Sequence, residues 1–113
     1  MNIEELTEIV KLADVKSFEA KLKTLGYTYC NTSKKLGKVG VVELVQSVTA
    51  ETTNFTDNDH KHLYNGRICG TVKGYDNYEF VYINVYDIKP SKDPFDDEET
   101  AVQTSMLIWA KEL

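Results

Sequence analysis

Residues 78–89 read YEFVYINVYDIK, and the architecture follows from how this stretch is read. Val81, Ile83 and Val85 stand at odd positions; Tyr78, Phe80, Tyr82 and Tyr86 stand at even ones. Successive side chains of a strand point to opposite faces, so a strand here has one aliphatic and one aromatic face. The Gly74-Tyr75-Asp76-Asn77 stretch before it supplies a turn, and Pro90, which lacks a backbone donor, ends it. The aliphatic face is expected to meet helices. The aromatic face has two readings. Covered by a helix, it is core; open to solvent, it is a binding surface, because tyrosine joins a large contact area to a polar tip.

Moving back along the chain, Arg67–Lys73 (RICGTVK) reads as a second strand, with Asn65-Gly66 as the turn before it. Val41–Val48 (VVELVQSV) reads as a strand paired with Tyr27–Ser33 across a turn at 34–40. Earlier still, Ile3, Leu6, Ile9, Val10 and Ala13 recur at spacings of three and four, which predicts a helix over 3–13. Asn2 and Glu5 complete a capping-box pattern at its start. A second helix is expected over 18–25, capped by Ser17 and stopped by Gly26. Beyond Pro90, Asp93-Pro94 opens a further expected helix, reaching Lys111. Phe95, Val102, Met106, Trp109 and Leu113 form its apolar stripe. The expected fold is therefore α+β in one domain, 1–113. It has an N-terminal two-helix segment, a four- to five-stranded mainly antiparallel sheet, and a C-terminal helix packed on one sheet face.

The chain has 113 residues and a formal net charge of −5, unevenly spread. Residues 1–40 hold seven lysines and five acids; residues 41–113 hold six basic residues and thirteen acids. Arg67 is the only arginine. This balance argues against nucleic-acid binding, where phosphate contacts need clustered Lys and Arg, and favours a basic partner. The opening MNIEELTEIVKL carries glutamates where a signal peptide needs positive charge and an apolar run. No apolar run approaches the ~18 residues of a membrane span. The cytoplasm is the expected compartment. Cys30 and Cys69 fit no metal spacing and read as buried thiols.

Three groups of residues can carry chemistry or recognition. The first is Asp57-Asn58-Asp59-His60-Lys61-His62. Histidines two apart share one face of a strand, and with nearby carboxylates they are weak candidates for a divalent metal. They match no strong metal motif, and a solvated loop is the competing reading. The second is the acidic run containing Asp93, Asp96, Asp97, Glu98 and Glu99, read either as helix-start chemistry or as a contact for a cationic partner. The third is the aromatic strand face. A Cys69 nucleophile with His60 or His62 as base is a further arrangement that needs hydrogen-bond proximity.

No cofactor is implied, and no catalytic motif is present. The profile is that of a small acidic protein-binding module that inhibits its partner by steric and electrostatic occlusion. Bacterial toxin-immunity proteins and phage counter-defence proteins have this profile. The expected contact residues are Asp57, Asp59, Tyr78, Tyr82, Tyr86, Asp96, Asp97 and Glu98. A homo-oligomeric structural or ligand-binding protein and a small metal-dependent enzyme using His60 and His62 are the alternatives.

Overall fold

A computed structural model describes residues 1–30, 41–90, 95 and 98–113. The elements in chain order are α1 (Ile3–Val10), α2 (Val15–Thr24), β1 (Thr28–Cys30), α3 (Val41–Gln46), β2 (Val48–Glu51), β3 (Phe55–Thr56), β4 (His62–Cys69), β5 (Tyr78–Lys89) and β6 (Thr100–Glu112). The strands form one six-stranded sheet in the order β1-β6-β5-β4-β2, with β3 also on β4, and every pairing is antiparallel.

The two N-terminal helices follow the sequence closely. The Asn2 side chain accepts from the Glu5 amide at 2.9 Å, and Glu5 accepts from the Asn2 amide at 3.4 Å, so both members of the capping box are made. The second helix starts earlier than the sequence implied. Asp14, not Ser17, is its cap, and its carboxylate accepts from the Ser17 amide at 3.1 Å. At its end Tyr27 N–H donates to Leu22 O at 2.9 Å and Gly26 N–H to Lys23 O at 3.1 Å. This is a Schellman stop, and Gly26 accommodates it at φ +90°.

The helices cover the aliphatic face of β5, as the alternation implied. Leu6, Ile9, Val10, Phe18 and Leu22 pack with Tyr64, Val81, Ile83, Val85 and Trp109 in the first core. The opposite face has a second core of Cys30, Leu44, Cys69, Val72, Phe80, Tyr82, Ile108 and Ala110.

Three further sequence expectations are overturned. The expected C-terminal helix is strand β6, which fills the centre of the sheet between β1 and β5. Its helical stripe was a coincidence of spacing: Val102 and Leu113 are exposed, whereas Ile108, Trp109 and Ala110 are buried. Trp109 meets the first core and Ile108 the second, so the apolar run is that of a strand covered on both faces. Burying Ile108 and Trp109 stabilises by about 1.5–3 kcal/mol each. Helix propensity differs between ordinary residues by at most about 0.7 kcal/mol, so burial decides.

Second, Val41–Gln46 is helix α3 rather than a strand paired with residues 27–33. Leu44 alone of residues 42–46 is buried, where a strand would turn Val42 and Gln46 inward with it. The position beside β1 belongs to β6. Residues 31–40, where the rest of that expected hairpin falls, lie outside the described residues. Third, Asn65-Gly66 is no turn. It lies in mid-β4, opposite Asn84 and Ile83. Glycine is needed there because α1 crosses closely: a Cβ on Gly66 would sit 2.9 Å from Leu6 and Val10 side-chain carbons.

The β5–β6 ladder has one irregularity. Val85 pairs with Ser105 and Tyr86 with Gln103, leaving Thr104 as an extra residue on β6. Its hydroxyl donates to Val85 O at 3.4 Å.

Candidate functional site

The β3–β4 connection and the outer end of the β5–β6 ladder meet at one end of the sheet. Lys61 O accepts from Ile88 N–H at 2.9 Å, which lays the 57–62 loop along β5. A tight turn closes between Asp57 O and His60 N–H at 3.1 Å, with His60 left-handed at φ 54°. His60 Nε2 then lies 2.7 Å from Glu99 Oε2. That contact joins two segments that the sequence presents separately, the 57–62 loop and the acidic run ending at Glu99. Asp57, Asp59, Asp87, Glu98 and Glu99 share this end with Lys61 and Lys89, so carboxylates outnumber lysines five to two among its described residues. Phe95, which belongs to the same connection, is 96% exposed. Asp93, Asp96 and Asp97 lie outside the described residues.

The two histidines are held by carboxylates. His62 Nδ1 is 2.9 Å from Asp57 Oδ2, and its Nε2 is 3.5 Å from Asp87 Oδ1. Asp57 also accepts the Lys61 and His62 amides at 2.8 and 3.2 Å through Oδ1. Burial alone would raise the Asp57 carboxyl, but the hydrogen bonds from His62 and from these two amides outweigh it and hold the carboxyl below its ordinary range. Asp57 is thus committed to folding its own loop, whereas Asp59 and Glu98 are exposed. Among the described residues no group of three or more His, Cys, Asp or Glu is arranged to hold a metal ion.

The aromatic face of β5 divides into three. Tyr82, an expected contact residue, is fully buried, as is Phe80, and α3 covers this part through Leu44. The covered reading therefore holds for the middle of the strand, and Tyr82 presents no ring to solvent. Tyr78 is half-buried with Tyr75 and Phe80 at the opposite end from the acidic residues, eight residues or about 27 Å along the strand from Tyr86. Tyr86 is half-buried next to Asp87, so it alone of the three tyrosines adjoins the acidic end.

Cys69 and His62 do not meet. They stand on opposite faces of β4, seven residues or about 23 Å apart along the strand. Cys69 donates weakly to Leu44 O at 3.7 Å, and burial pushes its thiol up, away from a reactive thiolate.

A polar row on the Tyr82 face was missed in the sequence. Gln103 Nε2 donates to Asn84 Oδ1 at 2.9 Å, Asn84 Nδ2 to Asn65 Oδ1 at 3.1 Å, and Asn65 Nδ2 to Asn54 Oδ1 at 3.2 Å. The side-chain amides thus run in one direction across β6, β5 and β4, each polarising the next. Beside them Arg67 stacks against Tyr82 and donates Nη1 to its hydroxyl at 3.3 Å. Arg67 Nε is 3.1 Å from Glu51 Oε2, in ion-pair range but not aligned for a hydrogen bond. The available signal was Asn84, a lone amide amid the apolar residues of YEFVYINVYDIK.

Among the described residues no helix is long and apolar enough to cross a membrane. No family model, curated protein or solved structure matches the chain.

Proposed function

We propose that the chain is a protein-binding module that uses the acidic end of its sheet to occlude a basic site on a partner protein. The observation that carries this reading is the His60–Glu99 contact, which brings Glu98 and Glu99 to the same surface as the 57–62 loop. Opposite charge across the contact speeds encounter, and the rigid β5–β6 ladder behind it blocks the covered site. Asp59 and Glu98 are the exposed charges that meet the partner, with Tyr86 beside them. Asp57, His60 and His62 shape the surface from within. Inhibition follows from coverage alone, as in toxin-immunity and phage counter-defence proteins, and the chain needs no catalytic group or cofactor for it.

The test is comparative capture from a lysate of the source cells, followed by binding kinetics on the captured protein. The unaltered chain is set against Asp59→Lys/Glu98→Lys, two exposed positions, with a thermal melt of the variant to show that the fold is kept. A specific partner held by the first and lost by the second, with an association rate that falls as salt rises, is the expected result. An identical set of proteins on both baits refutes the proposal.

A further inference from the structure

We propose that the cleft between α1 and α2 is a self-association site, in which a second copy of this chain docks its own helical hairpin across a two-fold axis. The cleft holds about 550 Å³ and has Ile9, Leu12 and Leu25 as its apolar lining. Glu5 and Glu8 stand on the α1 side and Lys21 on the α2 side. Leu12 stands just past Lys11, the C-cap of α1, and is 49% exposed, so the cleft carries an apolar knob on its own rim.

The charge arrangement identifies the occupant. A two-fold interface uses one surface twice, so that surface has to complement itself. Acid on one wall and lysine on the other meets this condition. Turning a second copy about an axis through the cleft sets α1 of one chain against α2 of the other. The glutamates then face the Lys21 of the second copy, and the two Leu12 side chains meet near the axis. Within one chain Glu8 pairs with Lys11 at 3.3 Å, and Glu5 serves the capping box. Lys21 has no ion pair among the described residues, so it gains most from the second copy.

Two small clefts bury less surface than an obligate dimer, so the association is reversible, with a dissociation constant on the order of micromolar to millimolar. None of the cleft residues belongs to the acidic end of the sheet. A dimer therefore offers two acidic ends at once, which strengthens its hold on any partner with repeated basic sites.

Sedimentation equilibrium of the full chain, from about 10 μM to about 1 mM, tests this. The expected result is a monomer–dimer equilibrium that Leu12→Glu and Lys21→Glu each weaken by about tenfold or more. Adding Glu8→Lys to Lys21→Glu restores the opposite-charge pairing and the dimer. Circular dichroism melting of each variant separates loss of association from loss of fold. A chain that stays monomeric throughout the range overturns the proposal. So does a dimer indifferent to Leu12→Glu and Lys21→Glu, whose interface then lies elsewhere. Either result leaves the acidic-end reading untouched, since its variants and its readout are separate.

Discussion

Gly66→Ala tests whether the close passage of α1 over β4 sets the residue type there. The added Cβ meets Leu6 Cγ, Leu6 Cδ2 and Val10 Cγ2, each at 2.9 Å. Carbon atoms pack comfortably at about 3.5–4.0 Å, so α1 or β4 has to give by at least about 0.6 Å. Leu6 Cγ is a branch point and Val10 is stiff at χ1, so neither moves aside by a simple rotamer change. Overpacking of this kind costs about 1–3 kcal/mol. Lower entropy of the unfolded chain returns about 0.4–1 kcal/mol, leaving a net loss of roughly 1–2 kcal/mol. For a chain of this size that is a fall in Tm of about 4–10 °C. Urea denaturation followed by far-UV circular dichroism measures it, with the midpoint falling and the slope unchanged. Leu6→Ala alone opens a cavity and destabilises. Combined with Gly66→Ala it loses less than the two costs added, because the new methyl enters the vacated space. Wild-type stability in Gly66→Ala, or strict additivity in the double variant, refutes the close-approach reading.

Two further predictions concern the second core and the pH profile. Leu44→Ala removes a fully buried side chain of α3 and costs about 2–5 kcal/mol, while Val45→Ala, on its exposed side, stays within about 0.5 kcal/mol. Equal effects at the two positions in thermal denaturation would contradict the placement of α3. At alkaline pH, burial first and then the hydrogen bond donated to Glu79 at 2.9 Å push the Tyr27 phenol up from its ordinary value of 10.0. The unfolded chain releases that proton from about pH 10 while the folded chain keeps it, so stability falls as pH rises beyond that point. Tyr27→Phe makes the decline shallower without removing it, because Tyr64 and Tyr82 are also pushed up. At the acid end Asp57, held below its usual 3.8, contributes stability above that value and loses it as pH falls through the folded value. Asp57→Asn flattens this acid limb in a melting series. An unchanged profile in either variant would discount the contacts described.

The sequence exposed what depends on neighbours along the chain. Both N-terminal helices, the Gly26 stop and the alternation of β5 were legible, because capping, glycine chemistry and period-two patterning are local. What failed was decided by residues distant in sequence. The stretch Thr100–Glu112 contains many good helix formers, and it is a strand because the gap between β1 and β5 has two apolar faces to satisfy. Gly66 beside Asn65 mimics a hairpin turn, and only the path of α1 reveals its purpose. At the acidic end, the 57–62 loop and Glu98–Glu99 stood out separately as charged segments, but their meeting through His60 depends on the β4–β5–β6 ladder. Tyr82 was misplaced as a contact because its cover, Leu44, sits in a stretch that itself reads as a strand.

The extra residue at Thr104 has a further effect on how β6 can change. Up to Ser105, counting in twos back from Glu112 tells which side of the sheet each residue faces; past Thr104 the parity reverses. Met106 and Gln103 thus share a side despite being an odd number apart, and Gln103 can reach Asn84. Losing Thr104 alone would remove that reversal and leave a regular ladder, with Gln103 still opposite Tyr86, on the side of Met106 and within reach of Asn84. Thr104 is therefore the place where the outer arm of β6 can shorten by one residue and keep its faces, whereas a one-residue loss in the regular part of the ladder moves every residue beyond it to the opposite side.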